Sequence, residues 1–459
     1  MTPHLLLDFG TTSTKSALVD LDSGAYSHVQ SHPSIPAAPA TSGRYEVPLD
    51  AIRDRFAGIC RAYRVDLGIP LQGITLCSEM HGFAVLDARD QPLTPYLSWK
   101  DERCLETVDG VSSFELVCGR LGDEFRTLTG MRPRPGFLLP NLVHVARTQG
   151  LPPRARVVSL PGWLALGDTP GQRVEHPTIL AALTLYDVNA GTVSARLLGL
   201  VEELTGCACA VGAPAADGEV AGWWTAPGER VPIHVGVGDH QASLLGAGLK
   251  AGALSLNLGT GSQVSVVDDG SAGPEVEVRP YFDGRRLATV THVPAGRALN
   301  EFLGLLQEAA GGRGDFWQAM AALDPAEVAA SDLEVDLSIF PGSRGYHEGG
   351  SISRIREGRL TVRHFLASLL RSLAGQYPEV AAQLDPQRRC SRCLLSGGIA
   401  RRLQVLQSLI AASTGYETLP ATPLDESLLG LRTLALVAAG RASTCDQAAA
   451  LFGRECVVA

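Results

Sequence analysis

The chain has 459 residues, 45% of them hydrophobic and 19% charged, with a formal net charge of −9. That balance is that of a soluble globular protein with room for roughly two or three cores. No basic run marks a nucleic-acid footprint, and no apolar run has membrane-spanning length. The N-terminus lacks the basic-then-apolar pattern of an export signal. The expectation is therefore a cytoplasmic protein without nucleic-acid or membrane partners. The ten cysteines have no framework spacing, which points to reduced thiols, and Cys390-x-x-Cys393 has no second ligand pair to make a zinc site.

In chain order, residues 5–30 read as a β-hairpin and its continuation, followed by a proline-rich loop from Ser31 to Pro48. Apolar residues at Ile52, Phe56, Ile59 and Tyr63 predict a helix over 52–67. Gly73 to Cys77 predicts a buried strand running into Ser78-Glu79-Met80-His81-Gly82, and Phe83 to Leu86 another strand. Residues 104–235 mix helices with Pro/Gly turns and close on an apolar strand, Val231 to Asp239. A second hairpin begins near Ala253 and a helical region near Gly296. Then come a turn region over 351–361, a long helix from Val362 to Tyr377, a strand entering Gly397-Gly398, and helices over 402–414 and 424–440.

The two hairpins carry the same message. Leu7-Asp8-Phe9-Gly10-Thr11-Thr12-Ser13 aligns with Leu256-Asn257-Leu258-Gly259-Thr260-Gly261-Ser262. Each is an apolar strand, a Gly-Thr turn rich in hydroxyls and a second apolar strand. Such a tip presents backbone N–H groups and hydroxyls suited to phosphate oxygens. One hairpin alone is an ordinary turn; a matched pair points to a duplicated domain. No GxxxxGK[ST] occurs, so the phosphate site has to come from these hairpins and the Gly397-Gly398 turn. Asp8 is placed to hold Mg²⁺ through water, or else to cap its turn. Asp239 ends an apolar strand with His240 beside it. It is either a helix N-cap or the base that takes a proton from a hydroxyl attacking a γ-phosphate.

The ordered set Asp8-x-Gly10-Thr11-Thr12-Ser13-x-Lys15, Met80-His81-Gly82, Trp99-x-Asp101-x-Arg103, Gly238-Asp239-x-Gln241-Ala242 and Asn257-x-Gly259-Thr260-Gly261-Ser262 resembles the FGGY carbohydrate kinases nearly end to end. It is most similar to their sedoheptulokinase/xylulokinase branch. Pro280-Tyr281-Phe282 and Gly342-Ser343-Arg344 lean towards the sedoheptulokinase-like members. The resemblance implies an α/β protein of two duplicated actin-like, ribonuclease-H-like domains (1–238 and 239–459) around an interdomain cleft. It implies ATP and Mg²⁺ as cofactors, a small-molecule sugar as substrate, and a homodimer at the family level.

By position, Asp239 becomes the catalytic base, and Asp8 and Asp239 the metal-side carboxylates. Met80, His81, Trp99, Asp101, Arg103, Asp239 and His240 become the sugar side. Thr11, Thr12, Lys15, Gly259, Thr260, Gly261, Gly296, Asn300, Gly397 and Gly398 become the nucleotide side. His81 read alone is a structural histidine and Arg103 a surface ion-pair residue. Three departures stand out. Glu79 and Ser78 occupy positions where the family has Gln and Gly. Ala181 to Leu185 replaces a Ser-x-Gly. Ile399-Ala400-Arg401-Arg402 follows the Gly-Gly turn in place of smaller or amide residues. The expected activity is phosphorylation of a terminal hydroxyl of a ketose or polyol. A sugar- or nucleotide-binding regulator without turnover is the competing expectation, and an actin-like ATPase without a sugar substrate is a third.

Overall fold

The computed structural model describes residues 2–38, 43–167, 173–226, 228–273, 276–340, 349–422 and 424–452. Gly342-Ser343-Arg344 lies outside the described residues. The chain divides into two compact units, Met1–Gly246 with Val278–Arg285 and Ser427–Ala459, and Ala247–Glu277 with Arg286–Glu426. The sequence reading put a single boundary after Gly238. In the structure two later segments of chain return to the first unit, and local sequence carries no signal for such a long-range return.

In the first unit the strand Pro3–Phe9 sits at the centre of a sheet. It pairs antiparallel with Ser13–Asp20, which pairs with Tyr26–Pro33, and parallel on its other side with Ile74–Ser78. Leu5, Leu6 and Leu7 are all wholly buried, as expected of a strand covered on both faces, where an uninterrupted apolar run replaces in–out alternation. Ile52, Phe56 and Ile59 on the helix Leu49–Arg61 supply one cover. The expected strand over 231–239 is two pieces, Glu229–His234 and Val237–Gly238, both parallel to Ile74–Ser78. The interruption falls at Val235-Gly236, where a Cβ on Gly236 would collide with the Pro161 ring. A second, three-stranded sheet in this unit is ordered Ala208–Ala210, Arg154–Val158, Ala84–Leu86, with Phe83, Phe125, Phe137 and Leu142 in its core.

The second unit repeats the first. Ala253–Leu258 pairs antiparallel with Gly261–Val267, which pairs with Arg286–Pro294; on its other side it is parallel to Arg392–Ser396, itself parallel to Glu417–Leu419. In both sheets the first strand lies between its antiparallel hairpin partner, itself paired with a further strand, and a later strand that runs parallel to it. The duplication seen in the hairpins extends to the sheet. The long helix expected from Val362 to Tyr377 is Val362–Gly375, and a further helix, Tyr377–Leu384, follows it with a proline in its first turn, where the missing N–H costs nothing. The helix expected over 402–414 is Val405–Thr414, preceded by a short helix, Gly398–Arg402. Among the described residues no helix is long and apolar enough to cross a membrane.

Candidate active site

In the first unit, strand register brings three carboxylates to one edge. Asp8 and Phe9 are level with Cys77 and Ser78, and Val237 and Gly238 are level with the same two residues from the other side. The residues following Ser78 and Gly238 are Glu79 and Asp239. Asp8, Glu79 and Asp239 therefore sit at the C-terminal ends of three neighbouring parallel strands, spaced by roughly 4.8 Å per strand. The Glu79 N–H donates to the Phe9 carbonyl at 2.9 Å, continuing the ladder one residue past the strands. Strand ends of this kind are where open α/β sheets place ligands.

Asp239 opens the helix Asp239–Gly246, and its Oδ1 accepts the His240 N–H at 2.7 Å. Desolvation first, then the charges of Asp8 and Glu79, push its carboxyl up to about 8, against a smaller opposing pull from the His240 N–H and Lys15. Glu79 is also raised, by burial, although the hydroxyls of Ser98, Thr11 and Tyr96 and the Lys100 ammonium oppose the rise. Tyr96 is driven well above the usual phenol value by burial and by the neighbouring Glu79 and Asp239 charges. Asp8 is buried. Its Oδ2 accepts Ser427 Oγ at 2.6 Å and lies 3.5 Å from Lys15 Nζ, and its Oδ1 faces Cys77 Sγ at 3.4 Å.

The first hairpin tip is closed by the Gly10 N–H donating to the Ser13 carbonyl at 3.1 Å. Thr11 Oγ1 donates to Glu79 Oε2 at 2.9 Å and accepts Trp99 Nε1–H at 3.0 Å, while Thr12 is exposed. The tip is thus tied to both Glu79 and the partly exposed Trp99. Met80 is buried, and its Sδ would lie 3.1 Å from a Cβ on Gly238. His81 has a left-handed backbone (φ 71°), its Nδ1 donates to the Ala182 carbonyl at 2.8 Å, and its ring stacks on Phe137 at 4.3 Å. That bond fixes the neutral ring as the Nδ1–H tautomer and leaves the lone pair on Nε2. Gly82 has to be glycine, since a Cβ there would run into Tyr96 Oη.

Asp101 and Arg103 are placed differently from an open sugar pocket. Both are almost wholly buried, and Arg103 grips both oxygens of Asp101 (Nε to Oδ1 and Nη2 to Oδ2, each 2.8 Å) and reaches Glu46 at 2.6 Å. Asp101 also accepts the Arg103 N–H and the Tyr45 N–H. Arg103 is an ion-pair residue, buried rather than on the surface.

In the second unit the expected nucleotide-side pieces converge. The Gly259 N–H donates to the Gly261 carbonyl across the tip, and the N–H groups of Gly296 and Arg297 donate to the carbonyls of Gly259 and Thr260 at 3.1 and 2.8 Å. The start of the helix Gly296–Ala309 is thereby fastened to the second hairpin. Gly397 (φ 88°) packs so closely that a Cβ would stand 2.5 Å from the Leu258 carbonyl oxygen and 2.9 Å from Asn257 Oδ1. By contrast, a Cβ on Gly261 or Gly398 would meet no protein atom within 4 Å. Asn300 Oδ1 accepts Trp317 Nε1–H at 3.2 Å, and the Arg402 guanidinium lies 4.8 Å from the Trp317 ring centre. Glu426 takes the Arg401 guanidinium at 2.8 and 2.9 Å beside the Gly397 N–H.

Sequence reasoning missed several neighbours. Ser427 on Asp8 and Glu426 on Arg401 join segments remote in sequence and had no signal. Tyr96 and Ser98 around Glu79 were readable only as neighbours of Trp99. Trp317 and Arg402 had no motif.

Two units that share the arrangement around the central strand, each with a Gly-Thr hairpin tip, have the duplicated actin-like, ribonuclease-H-like architecture. Within it, residues 4–147 match the FGGY family of carbohydrate kinases, N-terminal domain. Among solved structures, the chain resembles the xylulose kinase from Rhodospirillum rubrum with a TM-score of 0.80 and 22% identity, covering 98% of this chain and 92% of that one. A ligand-bound xylulose kinase from Lactobacillus acidophilus gives 0.81 at 16% identity, again over 98% and 92%. Plasmodium falciparum glycerol kinase with ADP gives 0.80 at 15% over the same shares. An L-fuculokinase from Salmonella typhi is 29% identical over 111 residues, 24% of each chain, so the aligned stretch spans about a quarter of that relative. At 15–22% identity, the solved structures share the fold with this chain.

Proposed function

We propose that the chain is an ATP-dependent kinase that transfers the γ-phosphate to a terminal hydroxyl of a ketose or related polyol, with Asp239 as the base. The observation that carries this reading is the Asp239 carboxyl. It stands at a strand end beside Asp8 and Glu79 with its affinity for a proton raised to the neutral range. A base of ordinary carboxylate strength takes a proton from an alcohol poorly; one poised near neutrality is well matched to the task. As the hydroxyl oxygen attacks, Asp239 accepts its proton and the His240 N–H holds the carboxylate in line. His81, with Nε2 as acceptor and its ring braced on Phe137, orients a neighbouring sugar hydroxyl, and Met80 closes the apolar side.

The nucleotide reading rests on the second unit, where Gly261 and Gly398 leave open space beside donor-rich backbone, the setting in which a main chain approaches phosphate closely. The donor set of Asp8 and Asp239, oxygen-only and shielded, fits Mg²⁺. Mg²⁺ when bound neutralises charge on the phosphate oxygens. The first tip by itself carries Lys15 and the Thr12 hydroxyl, groups of the kind that suit phosphate oxygens.

The test is ADP formation by purified protein with Mg·ATP across D-xylulose, D-ribulose, sedoheptulose, L-fuculose, glycerol and gluconate. Stimulation by one of the ketoses or polyols supports the kinase. Nucleotide binding with a flat response across the panel favours a binding-only regulator and overturns the reading.

A further inference from the structure

Away from the three carboxylates, the first unit holds a cavity whose charged groups the kinase reading does not use. It lies between the strand Arg154–Val158, the helix Leu160–Ala165 and the strand Val174–Glu175. Counted with its open mouth it spans about 330 Å³, of which about 20 Å³ is free to the centres of water-sized groups, room for one such group.

Glu175 lies in the cavity wall and is buried. Its partners are the Ser159 N–H, 3.2 Å from Oε1, and the Ser159 hydroxyl, 2.8 Å from Oε1 and 2.7 Å from Oε2. A hydroxyl proton serves one oxygen at a time, so a carboxylate with about four acceptor positions receives only these two donors. Among the described residues no cation pairs with it, and burial pushes its carboxyl up to about 7 against the opposing Ser159 bonds. Two glycines of the wall make way for it: a Cβ on Gly162 would collide with Oε1, and one on Gly212 would stand 2.7 Å from Cγ. Arg156 and Arg173 line the same cavity, and both turn to one carboxylate, Asp90. The cavity thus has a guanidinium pair with a single counter-charge and a buried acid with none. Val158, Leu166 and Val174 add apolar wall.

We propose that this cavity is an effector site for a compact zwitterion, an α-amino acid, whose ammonium pairs with Glu175, whose carboxylate takes the remaining donors of Arg156 and Arg173, and whose binding steadies the segment leading into Asp239. An ammonium group is the size of a water and fits the space free beside the wall. A simple anion leaves Glu175 buried without a partner, and a simple amine leaves the arginine pair with one carboxylate; a zwitterion answers both. The cavity is tied to the Asp239 strand at two points. Pro161, next to Gly162, is the residue that a Cβ on Gly236 would strike, and Thr178, three residues after Glu175, accepts the Gly238 N–H through Oγ1 at 3.1 Å. An occupant held by Glu175 therefore restrains the two short stretches that bear these contacts.

The experiment is calorimetric titration of the full chain with a panel of the standard L-amino acids, with acetate and methylamine as controls that carry one charge each. At least one amino acid should bind roughly tenfold or more tightly than either control, and Glu175→Gln should weaken it by roughly tenfold or more. The bound amino acid should also slow amide hydrogen exchange across residues 236–241. If the Glu175→Gln protein does not fold, Arg173→Met, at the partly exposed side of the cavity, should give the same loss of affinity. No binding across the panel, binding no tighter than acetate or methylamine, or binding undiminished in the variant overturns the site. Binding with unchanged exchange over 236–241 overturns its link to Asp239. Both readouts are taken without nucleotide or sugar, so failure here leaves the kinase reading standing, and failure of that reading leaves this site standing.

Discussion

Asp239→Asn separates chemistry from folding because the carboxyl serves the two in opposite directions. The substitution keeps an oxygen for the His240 N–H, now 2.7 Å from Oδ1, and removes only the ionisable group. Folding raises the carboxyl from its ordinary 3.8 to about 8, chiefly through desolvation and secondarily through Asp8 and Glu79. A group raised on folding binds its proton more tightly in the native state. Its contribution is therefore fully present below pH 3.8 and is lost progressively as pH climbs to about 8. At about 1.36 kcal/mol per unit, full burial would cost on the order of 4 kcal/mol at pH 7. Asp239 retains a partly exposed face, and solvent there screens the penalty, so about 2 kcal/mol is the expected size. The Asp239→Asn protein should thus be about 2 kcal/mol more stable than the parent at pH 7 and indistinguishable from it near pH 4. Its turnover should fall by roughly two to four orders of magnitude, the worth of a general base. Urea unfolding at several pH values, paired with ADP release at saturating nucleotide, measures both. A stability difference that does not change with pH would refute the burial argument, and near-normal turnover would refute the base.

Other outcomes follow from particular contacts. Gly397→Ala forces a left-handed residue and a clash with the Leu258 carbonyl; a loss of roughly 2–4 kcal/mol and weakened ADP binding are expected by denaturant melts and calorimetry, and unaltered binding would detach this turn from the nucleotide. His4 is lowered from 6.5 to about 3, by burial first and the stacked His234 second. Its contribution is present above pH 6.5 and lost as pH falls towards 3, amounting to about 2 kcal/mol by pH 5. His4→Gln should flatten that part of the stability–pH curve, a slope opposite in sign to that of Asp239; an unchanged acid slope would show that His4 does not carry it. Arg103→Lys loses the two-pronged grip on Asp101 and should cost about 2–3 kcal/mol in unfolding experiments. Unchanged stability with a raised KM for sugar would instead make Arg103 a substrate contact.

What the sequence made legible was whatever local pattern dictates. The Gly-Thr tips, the uninterrupted apolar run Leu5-Leu6-Leu7 and the spacing of Ile52, Phe56 and Ile59 each follow from one short stretch of chain, and the structure has strands and a helix there. The strand ending at Asp239 was legible as a strand, but not its interruption at Val235-Gly236, where Pro161 of a distant helix packs so close that a Cβ on Gly236 would collide with it. The return of Ser427 to Asp8 was not legible either, because the two residues are 419 positions apart. Asp101 and Arg103 were visible as a pair of charges, yet only packing tells a buried clamp from a pocket lining: the same two side chains suit both, and what decides is whether Glu46 and the Tyr45 N–H have already taken the remaining hydrogen-bonding capacity.

Glu79 shows the same division most sharply. Its identity is a single letter, and by itself a carboxylate for an amide reads as lost donors. Its meaning comes from register: one residue past a paired Ser78–Gly238 rung, it stands level with Asp239 and within reach of Thr11. A one-residue slip of either strand would turn one carboxylate to the opposite face and uncouple the pair. The electrostatics of the site are therefore set by hydrogen-bond register in the sheet, and the sheet is held in register by the apolar strands that were plain from the start.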